Sequence, residues 1–212
     1  MSLIARILGL RGIFSGLDEA DVDPDPVAQF GSWFAFAKRS FVYMPNACAL
    51  ATATKDGQPS VRMVLLKGVD ASGFTFFTNY GSRKGRELDA NPAASLLFHW
   101  VDLHRQVRVE GKVERVTHGE SERYFKTRPR GSRIGAWASR QSSVLENREE
   151  LESRVSEFER KYPGDVPLPD HWGGYRLVPK RIEFWQARPN RLHDRLVYER
   201  EGDAWKVIRL AP

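Results

Sequence analysis

Cysteine is almost missing from this sequence: Cys48 stands alone among 212 residues. A single thiol can make neither an internal disulfide nor a cysteine-based zinc site, so a reducing, cytoplasmic setting is expected. Long apolar runs are missing as well. None approaches the roughly 18–20 residues that a membrane-spanning helix requires, and no membrane partner is expected. The first sixteen residues are broken by Arg6 and Arg11 and lack a charged region ahead of their apolar residues, unlike a secretory signal. No G-x-G-x-x-G follows a strand-like run, and there is no P-loop. The five histidines (His99, His104, His118, His171 and His193) form no H-E-x-x-H or similar pair, so no metal site is expected.

What is present is an ordinary globular composition, 41% hydrophobic and 28% charged, which argues against disorder and fibrous repeats. The net charge of +6 is unevenly placed. Between residues 123 and 145 lie Arg123, Lys126, Arg128, Arg130, Arg133 and Arg140, with no acidic residue among them. That stretch equals the whole excess and calls for an anion, either a nucleic-acid backbone or a smaller phosphate.

Residues 1–24 read as an N-terminal segment, expected to be mobile, in which Leu3, Ile4, Ile7 and Leu8 suit a short amphipathic helix. Residues 25–212 read as one domain. Asp25 and Pro26 open a helix whose inward face carries Val27, Phe30, Trp33, Phe34, Ala37 and Phe41. β-type runs follow at 47–54 and 59–67, joined by a Lys-Asp-Gly-Gln turn, then at 74–78, 93–101 and 106–116. Helices are expected from Ser82 to Asn91, over 119–127 and over 147–162. Strands close the chain at 175–178, 181–186, 195–199 and 204–210. About eight hairpin-linked strands interrupted by helices predict a mainly β fold with α, an antiparallel barrel with helices around it.

Four constellations could carry chemistry. Alternation along Arg62-Met63-Val64-Leu65-Leu66-Lys67 puts Arg62 and Lys67 on opposite strand faces, as snorkelling end charges or as ligands of two different anions. Ser82-Arg83-Lys84-Gly85-Arg86 sets basic residues in a first helical turn, against the macrodipole unless an anion is there. Tyr124, Arg128 and Ser132 have helical spacing, but Pro129 opposes a continuous helix; together they could cradle a phosphate or form a solvated face. In a strand, Arg191, His193 and Arg195 would share a face, orienting an electron-rich ring or forming a charged edge beside Asp194.

Read together with R-M-V-L-L-K, F-F-T-N-x-x-S-R-K, R-Q-V-R-V-E-G, R-P-R-G-S-x-I-G-A-W, S-R-Q-S-S and W-G-G-Y-R, the run Ile182-Glu183-Phe184-Trp185-Gln186 to Arg195 resembles the pyridoxine/pyridoxamine 5′-phosphate oxidase family. The resemblance covers roughly residues 25–212. It implies an FMN-binding split antiparallel β-barrel of Greek-key type that works as a homodimer, with FMN at the subunit interface. By motif, Arg62, Met63, Val64, Leu65, Leu66, Lys67, Phe77, Thr78, Arg83, Lys84, Gln106, Gln141, Ser142, Trp185 and Arg195 would line the flavin site. Lys67, Tyr124, Arg128 and Ser132 would hold a substrate phosphate, and Arg191 and His193 would contact the pyridine ring as positioning and electrostatic residues of the catalytic site. The implied reaction oxidises pyridoxine or pyridoxamine 5′-phosphate to pyridoxal 5′-phosphate. A hydride passes from C4′ to flavin N5, and O2 reoxidises the flavin to give H2O2, with ammonia from the amine.

The N-terminus departs from the family pattern, reading Arg11-Gly12-Ile13-Phe14 ahead of acidic Asp18, Glu19 and Asp21. Two other readings remain at this point. A related flavin oxidase of phenazine-type biosynthesis would need no phosphate grip. A basic barrel binding nucleic acid would need stacking aromatics, and the basic stretch offers only Tyr124, Phe125 and Trp137. No nucleic-acid partner is expected; the partners implied are a second copy, small phosphorylated pyridines and O2.

Overall fold

A computed structural model of the chain describes Ile7 and residues 15–212. The helix expected around Leu3–Leu8 lies outside the described residues apart from Ile7. Nine strands join one antiparallel sheet: β1 (Ala47–Ala53), β2 (Pro59–Leu65), β3 (Gly68–Asp70), β4 (Gly73–Asn79), β5 (Ala93–Trp100), β6 (Arg105–Arg115), β7 (Trp172–Gln186), β8 (Asp194–Glu201) and β9 (Ala204–Arg209). Their order is β2-β1-β5-β6-β7-β4-β3, with β8 also paired to β7 and β9 to β8.

One connection dictates the curvature. β2 and β3 are opposite edges of that path, yet only Leu66 and Lys67 separate them in sequence. Two linking residues can span only about 10 Å, so the sheet must curl until its edges meet. The Leu66 N–H donates to the Asn46 carbonyl at 2.8 Å and the Lys67 N–H to the Thr75 carbonyl at 2.8 Å, which ties the seam from both sides. Lys67 therefore sits where the barrel splits.

Helix α1 (Pro26–Arg39) starts as its sequence dictates: the Asp25 carboxylate accepts the Val27 N–H, and Pro26 occupies the first turn. It drives Phe30, Trp33 and Ala37 into the curled sheet against Phe74, Phe98 and Phe184. Four further helices cover the outside: α2 (Arg83–Ala90), α3 (His118–Thr127), α4 (Arg130–Ala138) and α5 (Arg148–Lys161). A second, smaller core beneath α3 and α4 contains Phe125, Ile134, Val166 and Trp172.

Three expectations change. The strands expected at 175–178 and 181–186 are one strand, β7. Its Pro179 lies opposite Gly111 while Arg181 lies opposite Glu110, so Lys180 is the extra residue of a β-bulge, a position where a strand tolerates proline. β3 is too short to show a period, and α4 lacks a capping side chain and contains two glycines. α4 forms because Ile134, Ala136 and Ala138 bury one face.

The bulge rests on Gly111. A Cβ there would lie 2.0 Å from the Val178 carbonyl oxygen, and backbone cannot retreat cheaply. Gly111→Ala is expected to destabilise the fold by about 2 kcal/mol or more. Gly131→Ala in α4, where a Cβ meets nothing within 4 Å, should be neutral or stabilising. Thermal melting of the two variants checks the contrast.

Candidate active site

Where the barrel splits, between the end of β2 and β4, a cleft of about 750 Å³ opens, with α3 and α4 as its far wall. Met63, Val64, Leu65 and Lys67 border it from β2 and the seam, and Phe77, Thr78 and Asn79 from β4. Lys84, Gln141, Tyr124, Arg128, Ser132 and Trp172 complete the lining that matters for charge and shape. Among the described residues, three cations border the cleft and no carboxylate does.

Proline sets the far wall. Pro129 disfavours helical backbone at the residue before it, and Arg128 is accordingly extended (φ −74°, ψ 145°) between α3 and α4. The expected break in the Tyr124–Ser132 spacing is real, yet all three residues border the same cleft. Arg128 lays its guanidinium 4.6 Å from the centre of the Trp172 ring and 5.5 Å from that of Phe125. Its Nη1 is buried without a hydrogen-bond partner, and burial pulls its pKa below the usual arginine value. A cation in that state is suited to an anion arriving in the cleft.

At the opposite wall, Ser82 caps α2 by accepting the Gly85 N–H at 3.2 Å. That cap sends Lys84 toward Thr78 (3.2 Å) and Gln141 (3.0 Å), with Thr78 donating to the same Gln141 oxygen. Burial, then repulsion from nearby Arg62, lowers the Lys84 pKa. The Glu87 charge offsets part of that repulsion. Ser142, beside Gln141, is exposed and has a left-handed backbone (φ 69°).

Arg62 and Arg83 do not border the cleft. Both bond the buried Glu87, Arg62 at 3.1 Å and Arg83 at 2.8 Å, and Thr52 and Ser60 also donate to that carboxylate. Alternation along β2 does separate Arg62 from Lys67, with Arg62 facing Glu87 and exposed Lys67 facing the cleft. Leu66 points into the core. Burial alone would raise the Glu87 pKa, but hydrogen bonds from Ser60, Thr52, Arg83 and Arg62 outweigh it and hold the carboxyl at about 2.

A second group gathers at the other end of β7. The Trp185 ring lies 4.6 Å from that of His193, and Gln106 is opposite Trp185 in the ladder. Arg195 donates to the buried Glu183 at 2.8 Å and to the Ala211 carbonyl at 3.0 Å. The shared strand face expected for Arg191, His193 and Arg195 is not formed, because β8 begins only at Asp194. Pro189 and left-handed backbone at Asn190 and Arg191 turn the chain beforehand (φ 57° and 63°). In that turn His193 Nδ1 accepts the Arg188 N–H at 3.2 Å, which leaves the proton of the neutral ring on Nε2.

Neither Trp172 nor the buried carboxylates Glu87 and Glu183 belong to the sites read from sequence. The signal for Trp172 was its place before two glycines inside a strand. A lone buried glutamate leaves no pattern in sequence.

Comparison with known proteins gives this geometry its context. Residues 37–162 match the family model described as pyridoxamine 5′-phosphate oxidase, and residues 172–212 match the pyridoxine 5′-phosphate oxidase C-terminal dimerisation region. The chain is 59% identical over 209 residues to a pyridoxine/pyridoxamine 5′-phosphate oxidase of Rubrobacter xylanophilus, covering 97% of this chain and 96% of that one. It is 57% identical over 201 residues to the protein of that name from Cupriavidus pinatubonensis, with 94% and 95% covered. Among solved structures, PhzG from Burkholderia lata, in complex with tetrahydrophenazine-1-carboxylic acid, superposes with a TM-score of 0.88 at 36% identity, covering 92% of this chain and 98% of that one. An FMN-binding, pyridoxamine 5′-phosphate oxidase-related protein of Nostoc punctiforme shares the fold (TM-score 0.71, 17% identity, 90% and 100% covered).

Removing the Glu87 charge would leave Arg62 partly buried without its counter-ion. Glu87→Gln is expected to cost about 3 kcal/mol of stability, read by denaturant unfolding. Because the folded carboxyl titrates far below the unfolded one, its contribution is complete above the unfolded glutamate pKa and fades as pH falls toward about 2. The variant should lack that part of the acid dependence.

Proposed function

The chain belongs to the pyridoxine/pyridoxamine 5′-phosphate oxidase family, and from that premise we propose that it oxidises pyridoxine 5′-phosphate or pyridoxamine 5′-phosphate to pyridoxal 5′-phosphate, using FMN and O2 and releasing H2O2. The observation that carries this reading is the cleft bordered by Lys67, Lys84 and Arg128 with no carboxylate, one of whose arginine nitrogens is buried and unpartnered. That donor set fits phosphorylated aromatic ligands.

Lys84, Gln141 and Ser142 would hold the flavin phosphate, with Arg62 and Arg83 adding positive charge from behind and Thr78 fixing Gln141 and Lys84. Met63, Val64, Leu65 and Phe77 offer the apolar wall for a flat ring system. Lys67, Tyr124, Arg128 and Ser132 would take the substrate phosphate, which orients the pyridine ring and its C4′ carbon. Bound FMN would supply the hydride acceptor and, once reduced, the electrons for dioxygen. His193 would offer its Nε2–H and Arg191 its charge to the ring, as polarising and orienting groups.

Trp185, Arg191, His193 and Arg195 would do so for a second copy of the chain. Trp172 borders the cleft and Trp185 packs on His193, yet thirteen residues of one strand separate them. At about 3.3 Å per residue that is roughly 43 Å of strand contour, and drawing the two groups from different subunits would let one flavin reach both. The C-terminal match to a dimerisation region supports this. So does an exposed apolar stripe in which Ala49 of β1 has Met63 and Leu97 as its neighbours on either side.

The ligand of the PhzG structure is a carboxylic acid with no phosphate, whereas the present cleft keeps Lys67, Tyr124, Arg128 and Ser132 together. That grouping favours the phosphorylated substrate.

The purified protein is expected to be yellow, with a flavin spectrum that bleaches on anaerobic addition of pyridoxine 5′-phosphate. A colourless protein that cannot be reconstituted with FMN would overturn the reading. Arg128→Ala should raise KM for pyridoxine 5′-phosphate about 10- to 100-fold, the equivalent of one or two charge-assisted hydrogen bonds, while FMN stays bound. Steady-state kinetics and the flavin absorbance of the variant check both halves.

A further inference from the structure

We propose that Trp172 is a positioning residue for substrate phosphate, acting through Arg128; the inference rests on the function proposed above and adds a residue to it. The cleft cations are held in a different way from the other arginines discussed. Arg62 and Arg83 share Glu87, and Arg195 rests on Glu183. Each of those cations is paired with a buried carboxylate.

Arg128 has no carboxylate partner. The Trp172 face lies 4.6 Å from its guanidinium carbon, with the Phe125 ring as a second support. Trp172 is itself fixed by near-parallel rings: Phe77 at 5.6 Å and 11°, and Tyr124 at 6.1 Å and 11°. Phe77 and Tyr124 stack at 4.1 Å, and the Lys67 ammonium lies 5.6 Å from the Tyr124 ring centre. One aromatic cluster thus carries both cations assigned to the substrate phosphate.

An aromatic face attracts a cation through its quadrupole without cancelling the charge or occupying the hydrogen-bond donors. A carboxylate in the same place would compete with the incoming phosphate for both. Trp172 therefore fixes the plane of Arg128 while leaving its buried Nη1 without a partner until the ligand arrives. The residue selects for a phosphorylated ligand although it makes no hydrogen bond to it.

The test uses the FMN-loaded enzyme and two unreactive probes, 4-deoxypyridoxine 5′-phosphate and 4-deoxypyridoxine, titrated by calorimetry. Trp172→Phe should weaken the phosphorylated probe about three- to fivefold and leave the unphosphorylated probe within about twofold of wild type. In an Arg128→Ala background the same substitution should add nothing, because the arginine it acts through is gone. An equal loss in both backgrounds, or for both probes, overturns the inference. Should Trp172→Phe melt below the assay temperature, Trp172→Tyr is read by the same cycle. A wild-type enzyme indifferent to the phosphate of the probe would instead count against the proposed function itself.

Discussion

Along its fifteen residues β7 pairs with β6 on one edge and with β4 and then β8 on the other. Both residue groups depend on that ladder. At its start, Trp172 closes the cleft wall; at its end, Trp185 packs on His193 of the preceding turn and lies opposite Arg195 of β8. Side-chain alternation along a strand has period two, so a shift of one residue would turn every one of these groups to the wrong face. The bulge at Lys180 absorbs one residue between the two halves and thereby sets their phases independently.

Charge in this protein is managed by two separate devices. Where an arginine serves as a fixed support, a buried glutamate satisfies it: Glu87 for Arg62 and Arg83, and Glu183 for Arg108 and Arg195. Where a cation faces the cleft, amide, hydroxyl or ring faces hold it instead, as with Lys84 on Gln141 and Thr78 and with Arg128 on Trp172. The basic stretch at 123–145 follows the same division. Arg133 pairs with Asp165, Lys126 pairs with Glu122, and Arg130 donates to the Tyr162 and Gly164 carbonyls, so these three stabilise the α3–α5 region. Of the six cations in the stretch, Arg128 alone borders the cleft. The charge excess therefore pointed to the right class of ligand through one of its six residues.

Much of this was legible in residues before any coordinates. The Asp25 cap forms as read, and of the inward face expected for the first helix Phe30, Trp33 and Ala37 are buried, Val27 and Phe34 are half-buried, and Phe41 lies beyond the helix end, exposed in a left-handed conformation. The hairpin turn around Gly57 needs its left-handed backbone, and the Ser82 cap forms as read. What was not legible depends on partners distant in sequence. Pro179 suggests a strand break until Gly111 is known to stand opposite. Arg191, His193 and Arg195 alternate in sequence, but a left-handed turn ahead of β8 removes the first two from the strand. Glu87 is one acidic residue in a helix until the fold brings Thr52, Ser60 and Arg62 to it. Within the N-terminal segment 1–24, expected to be mobile, Glu19–Asp21 form a short 3-10 turn tied down by Glu19 to Arg209 and by the Leu17 N–H to Asp194.

In the proposed function, the two residue groups that β7 connects form one site only when two chains meet. Subunit complementation measures this directly. Lys67→Ala removes a cleft cation and Arg191→Ala removes a group at the far end of β7; each variant alone should be nearly inactive. In dimers formed by unfolding and refolding an equal mixture, random pairing places one intact site in each mixed dimer, so about a quarter of wild-type activity should return. Activity no greater than the sum of the two variants would contradict a site shared between subunits.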